Sequence, residues 1–171
     1  MLATGKAGPS NPITVGAEKA LANILEAIDE ASARCGVHEF LASRLGIAGT
    51  DKSRLRQELL QGMRGSFGDT AIVSDAVSAL AGGTGCRPGV VVIAGTGSIA
   101  YGENRLGETA RAGGWGWRLG DEGSGYTIGL KAIMAALRAH DGRAPETLLK
   151  EKVVNHLGLD GIEGIVDWVY E

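Results

Sequence analysis

The chain has 171 residues, 44% apolar and 22% charged, which are ordinary proportions for a globular protein of one large domain or two small lobes. A formal net charge of −3, with seventeen Lys and Arg scattered through helix patterns, excludes a broad nucleic-acid surface, because phosphate binding needs clustered cations. No apolar run approaches bilayer length, the start Met1–Lys6 lacks a signal-peptide core, and the two cysteines, Cys35 and Cys86, do not make a metal site. The expectation is a cytoplasmic protein with no membrane contact and with free, buried thiols.

Glycine is the outlier at 28 residues, concentrated in loops and without a fixed period. Gly5 to Pro12 reads as a loop. Leu21, Ile24, Leu25, Ile28 and Ala31 then recur at helical spacing between Gly16 and Gly36, and Gly36 is a stop signal. Phe40–Ala48 predicts a short buried strand, with Thr50 or Asp51 capping a helix that runs to about Met63. Thr70–Ser74 predicts a second strand, and Ala76–Ala81 a helix ended by Gly82-Gly83. Strand, helix, strand, helix implies parallel strands joined by crossover helices.

Thr84–Gly89 looks like a lobe junction, giving lobes at residues 1–86 and 87–171. Val90–Ala94, Ile99–Glu103 and Thr109–Ala112 follow as strands separated by tight turns, which predicts an antiparallel meander. Gly123–His140 predicts a helix with Ile128, Ala132, Ile133, Ala136 and Leu137 on one face, and further helices run from Pro145 to the end.

Four places could carry chemistry. Asp75 ends a strand and opens a helix: it is either an N-cap or a general base at the carboxyl end of a parallel strand. Gly95-Thr96-Gly97-Ser98 is either a hairpin turn or a cradle whose successive N–H groups and two hydroxyls face a phosphate. It is not a Walker loop, because no Gly-Lys-Ser/Thr follows. The block from Gly113 to Gly125 sets Trp115 and Trp117 beside Asp121 and Glu122 among glycines. These could be core aromatics and helix-start acids, or a sugar site with a stacking face and hydroxyl acceptors. Asn11 alone is a turn residue. His38, His140 and His156 read as surface residues.

Taken in order, Gly-Pro-Ser-Asn, Gly-Ile-Ala-Gly, Ser-Asp-Ala, Ala-Gly-Thr-Gly-Ser and Gly-Gly-Trp-Gly-Trp-Arg-Leu-Gly-Asp-Glu-Gly-Ser resemble the N-acetylglucosamine kinase group. That group lies within the BadF/BadG/BcrA/BcrD ATPase family of the actin–hexokinase–Hsp70 superfamily. The resemblance implies an α/β, ribonuclease-H-like (actin-like ATPase) two-lobe fold with ATP and sugar in the cleft between lobes. It implies an amino-sugar substrate, N-acetylglucosamine or glucosamine, phosphorylated at its 6-hydroxyl with ATP and Mg²⁺, and a homodimer.

By the same resemblance Asp75 is the catalytic base and Gly95, Thr96, Gly97 and Ser98 are the second phosphate loop. Asn11 contacts sugar, and Ala48 and Gly49 lie under it. Gly114, Trp115 and Asp121 border the sugar and a water network that reaches the metal, which no side chain binds directly. Ala48 stands where some of these kinases carry serine, which leaves the sugar open. The family's first phosphate loop, Asp-Gly-Gly-Gly-Thr-like, and its adenosine-binding glycine loop have no counterpart here, so truncation at both ends and exposed strand edges are expected. Two further readings are a truncated remnant that binds sugar only, and an ATPase activator of an acyl-CoA dehydratase.

Overall fold

The computed structural model describes residues 2–50, 53–63 and 67–171. In chain order the elements are α1 (Pro12–Val15), α2 (Ala17–Cys35), β1 (Ala42–Gly46), α3 (Ser53–Gly62), β2 (Asp69–Val73) and α4 (Asp75–Thr84). There follow β3 (Gly89–Ala94), β4 (Ser98–Glu103), β5 (Thr109–Gly113), α5 (Gly125–His140), α6 (Leu149–Leu157) and α7 (Gly164–Tyr170). Two compact units result: Met1–Val91 with Tyr101–Ala110, and Val92–Ala100 with Arg111–Glu171.

In the first unit β1 and β2 pair in parallel, in register from Ala42 opposite Asp69 to Gly46 opposite Val73. Parallel neighbours need a crossover, and α3 supplies it. Ile47 N–H donates to Val73 O at 3.0 Å, which carries the ladder one residue beyond β1. The core joins the apolar stripe of α2 (Ala20, Ile24) to Leu59 and Met63 of the α3 region and to Ile47, Phe67 and Ile72 of the sheet. Phe40 and Phe67 meet at 5.7 Å between ring centroids. On the other face α4 packs so close to β1 that a Cβ on Gly46 would overlap Ser78 Oγ.

Several expectations need correction. The strand expected over 40–48 spans only Ala42–Gly46, and its residues alternate between exposed and half-buried. Among the described residues β2 is the only strand paired with β1, and Ala42, Arg44 and Gly46 are exposed. The helix expected to stop at Gly82-Gly83 continues to Thr84 and ends at Gly85, which takes the left-handed cap conformation. Two glycines cost a helix about 1 kcal/mol each relative to alanine, which packing of Ala76 and Leu80 outweighs. Thr50, a candidate cap, is buried and donates its hydroxyl to Ile47 O at 2.8 Å. Asp51, the other candidate, lies outside the described residues. The thiols are free, as expected, but Cys35 is half-buried and Cys86 exposed.

The strands β3, β4 and β5 form a three-stranded sheet in that order. Their connections, 95–97 and 104–108, are too short for a crossover, so neighbours run antiparallel. The second turn closes through Asn104 N–H to Glu108 O at 3.0 Å and Gly107 N–H to Asn104 O at 3.1 Å. Val90 and Val92 stand on one face of β3 at 73% and 72% exposure.

The helical part of the second unit has its own core, in which Ala136, Ile162 and Ile165 are buried against Ile133, Leu137 and Val153. Ile128, expected on that buried face of α5, is exposed instead, because it lies in the first two turns, before the helix reaches α6 and α7. All three histidines are exposed, and His140 Nε2 lies 3.6 Å from Glu163 Oε1. Among the described residues no helix is long and apolar enough to cross a membrane.

Candidate functional site

In the first unit the candidate residues collect at the carboxyl ends of β1 and β2, the edge where open α/β sheets take ligands. Asn11 is the N-cap of α1, with Oδ1 accepting from Ile13 N–H at 2.9 Å. Because the capping oxygen is committed, the group Asn11 has left to offer is its amide Nδ2, which makes no hydrogen bond among the described residues. Gly49 lies directly against this side chain: its φ is +78°, and a Cβ there would overlap Asn11 Oδ1. Only glycine meets both demands without strain.

A buried residue that sequence reasoning missed holds the segment before Asn11. Asn23, on α2, is 3% exposed and donates Nδ2 to Pro9 O at 2.6 Å. Nothing in the local sequence marks this residue, because its partner is fourteen positions away.

Asp75 is the first residue of α4 and follows β2 by one residue. The cap reading fails for it: Ser74 is the N-cap, with Oγ accepting from Val77 N–H at 3.4 Å. Asp75 Oδ1 accepts from Ala76 N–H at 3.0 Å, and the carboxylate is exposed with no cation beside it among the described residues. It shares the sheet end with Gly46, whose Cβ position would lie 3.7 Å from Asp75 Cα. An exposed carboxylate that is not the helix cap and forms no ion pair among the described residues has the chemistry of a proton acceptor.

The second unit contains the glycine loop and the tryptophan block. Residues 95–97 connect β3 to β4, and the start of α5 fixes them. Gly95 O accepts from Gly125 N–H at 2.7 Å and Thr96 O from Tyr126 N–H at 3.4 Å. In a planar trans peptide the N–H points opposite to the C=O. With those two carbonyls turned toward α5, the N–H groups of Thr96 and Gly97 face away from it, and neither has an acceptor among the described residues. Two successive outward N–H groups are the geometry that an anion cradle requires.

The expected cradle is smaller than the sequence suggested. Gly95 N–H donates to Gly97 O at 2.9 Å, Ser98 N–H to Asp121 Oδ1 at 3.2 Å, and Ser98 Oγ to Glu122 O at 2.9 Å. Among the described residues the exposed Thr96 makes no side-chain hydrogen bond, so two N–H groups and one hydroxyl are left to offer.

Gly114 N–H donates to Ser98 O at 2.9 Å, which brings the tryptophan block beside the loop. Trp115 and Trp117 are not core aromatics, with 64% and 55% of their surface exposed. The Arg111 guanidinium lies 4.6 Å from the Trp115 ring centroid and that of Arg118 4.6 Å from Trp117, which also meets Tyr126 at 5.3 Å. Asp121 is 7% exposed, at φ +63°.

The sequence profile of the BadF/BadG/BcrA/BcrD ATPase family matches residues 1–158. The chain belongs to that family. It therefore has the α/β, actin-like ATPase fold that the motif order implied.

Among curated relatives, an N-acetylmuramic acid/N-acetylglucosamine kinase of Clostridium acetobutylicum is 40% identical over 168 residues, covering 95% of this chain and 55% of the relative. An N-acetyl-D-glucosamine kinase of Dictyostelium discoideum is 39% identical over 131 residues, 74% of this chain and 41% of the relative. A glucosamine kinase of Vibrio cholerae is 32% identical over 167 residues, again 95% and 55%.

A crystal structure of a Chromobacterium violaceum protein assigned as an N-acetylglucosamine kinase superposes with a TM-score of 0.87 at 29% identity, covering 98% of this chain and 59% of that one. This family member thus spans about half the length of the curated relatives it matches.

Proposed function

We propose that this chain carries the sugar-phosphorylating residues of an ATP-dependent amino-sugar kinase, acting on the 6-hydroxyl of N-acetylglucosamine or glucosamine. The observation that carries the proposal is the exposed Asp75 carboxylate, which is not the helix cap and forms no ion pair among the described residues, on the same sheet end as the Asn11–Gly49 pair. The kinase names of the relatives from three organisms support it.

In this reading Asp75 accepts the proton of the sugar hydroxyl, while Asn11 Nδ2 donates to a sugar oxygen over the open surface of Gly49. Gly114, Trp115 and Asp121 border the sugar. The loop Gly95, Thr96, Gly97 and Ser98 holds phosphate oxygens of ATP, chiefly through the Thr96 and Gly97 N–H groups. The donor set suits phosphate, being two N–H groups and a hydroxyl that have no partner, carboxylate or other, among the described residues. Mg²⁺ would supply charge neutralisation of the transferred group, with its waters near Asp121. The protein's part is positioning and proton acceptance, as in other phosphoryl transfers.

Replacing Asp75 by Asn keeps the shape and removes the base. The expected result is a loss of kcat of about 10²- to 10⁴-fold, the usual worth of a general base, with sugar affinity little changed. Full-length protein would be assayed by ADP release with each amino sugar and by calorimetry with N-acetylglucosamine. Wild-type turnover in the Asp75→Asn protein would remove Asp75 as the base.

A further inference from the structure

Asn23 is an amide set where α2 turns its apolar side inward. Ala20 and Ile24 beside it belong to the buried cluster of the first unit, and Asn23 itself is 3% exposed. Burying an amide is costly unless it is hydrogen-bonded, and an apolar side chain of similar size would fill the place without that demand. Asn23 Nδ2 meets the demand by donating to Pro9 O at 2.6 Å. The segment it grips runs along α2 as a strap, fastened again toward its other end. Arg34 Nη1 donates to Thr4 O at 3.0 Å and Lys6 N–H to Glu30 Oε2 at 2.5 Å, both in exposed positions. The strap lies close to the helix: a Cβ on Gly5 would overlap Ala27 O, and one on Gly8 would stand 2.8 Å from Asn23 Nδ2.

Between Pro9 and Asn11 the chain has little slack. The Pro9 carbonyl lies in the rigid peptide plane that also holds Ser10 N, so a bond to that oxygen fixes where Ser10 begins. Asn11 precedes Pro12, whose ring confines the residue before it to extended backbone, and Asn11 stands there at φ −73°, ψ 109°. Ser10 is then the residue left to turn between the anchor and Asn11. Beyond it, Asn11 Oδ1 accepts from Ile13 N–H, and Gly49 closes against the same oxygen.

We propose that Asn23 is a positioning residue for the sugar: by holding Pro9 O it sets where Asn11 stands, and through Asn11 it governs sugar affinity, a role that rests on the kinase reading above. Its structural half needs no ligand. Loss of the buried amide frees Pro9, Asn11 shifts with it, and the cap on Ile13 N–H loosens.

The test uses Asn23→Leu, which keeps the size of the side chain and removes the donor. Arg34→Ala is the comparison, since it releases the same strap at Thr4. N-acetylglucosamine and Mg-ATP affinities are measured separately by calorimetry on the full chain, and Ile13 amide exchange by NMR. Asn23→Leu is expected to weaken N-acetylglucosamine about 3- to 10-fold, the span for a neutral hydrogen bond, with Mg-ATP held within about twofold. Ile13 exchange should accelerate by a similar factor. Arg34→Ala, at an exposed contact, should move none of the three by more than about twofold. A double-mutant cycle separates positioning from packing. In an Asn11→Ala background, Asn23→Leu should weaken the sugar no further, because the residue it acts through is gone, whereas a packing role gives additive losses.

Additive losses in that cycle would overturn the proposal. So would sugar affinity and Ile13 exchange unmoved by Asn23→Leu, or an Arg34→Ala protein as impaired as the Asn23→Leu one. Should Asn23→Leu fail to fold, Gly8→Ala tests the contact from the strap side, since its methyl would press on Asn23 Nδ2. The same sugar-selective loss is expected, and no loss, or a loss shared by Mg-ATP, counts against the anchor. If the wild-type chain binds no amino sugar, the kinase reading falls, and with it the functional half of the role. Ile13 exchange still decides whether Asn23 fixes Asn11.

Discussion

At Gly49 two independent constraints meet in one residue. Its φ of +78° lies where a side chain is strained, and the space a Cβ would take is held by Asn11 Oδ1, which is itself engaged in capping α1. Alanine at this position must therefore move the turn, or push Asn11 off its cap, or both. A left-handed alanine costs about 1 kcal/mol and a lost Asn cap about another, so Gly49→Ala is expected to lose about 1–3 kcal/mol of stability. Because Asn11 is disturbed, N-acetylglucosamine affinity should fall while Mg-ATP affinity stays. Chemical denaturation and the two calorimetric titrations check this. Undiminished sugar affinity in a folded Gly49→Ala protein would take Asn11 and Gly49 out of the sugar site.

At the scale of elements, the two helices that open next to candidate residues begin with the same device in different surroundings. Ser124 caps α5 at 3.1 Å, is fully buried, and belongs to the network that includes Thr127 and Asp121. Ser74 caps α4 at 3.4 Å and is half-buried. An alanine substitution should accordingly cost about 1–2 kcal/mol at Ser124 and about 0.5 kcal/mol at Ser74 in denaturant unfolding. Equal costs would mean that the network adds nothing to the cap.

The same helices show what the sequence could and could not specify. The apolar periodicity of α2 and its glycine boundaries are local signals, and so are the turns between β3, β4 and β5; these appear as read. Ser74 and Asp75 are adjacent and both are good caps, so local chemistry could not choose between them; backbone direction at the end of β2 did. The loop 95–98 was legible as a motif, but the commitment of its Ser98 groups was not, because their partners Asp121 and Glu122 lie 23 and 24 residues away. Asn23 was hidden in the same way, its partner Pro9 being fourteen residues away.

At the scale of the whole molecule, each compact unit has its own buried cluster. In the first unit Leu59 is fully buried, with Ile24, Ile47 and Ile72 in the same cluster. In the second Ile165 is 1% exposed and shares its cluster with Ala136, Ile133 and Val153. Neither cluster holds a fully buried aromatic ring, so the aliphatic side chains carry most of the packing energy. Truncating a buried Leu or Ile to Ala removes its transfer energy and leaves a cavity, about 2–5 kcal/mol in all.

That is a large fraction of the stability of a domain of this size, about 5–15 kcal/mol, so partial opening should become visible well below the unfolding midpoint. Leu59→Ala should raise amide exchange at Ile47 and Ile72, whose N–H groups lie in or beside the parallel ladder. Ile165→Ala should raise it at Ile133 and Val153, on the helices that pack against it. Exchange at Ile47 and Ile72 that is unchanged in the Leu59→Ala protein would mean that the cluster is not what holds the two strands, and with them the sheet end bearing Gly49 and Asp75, in place.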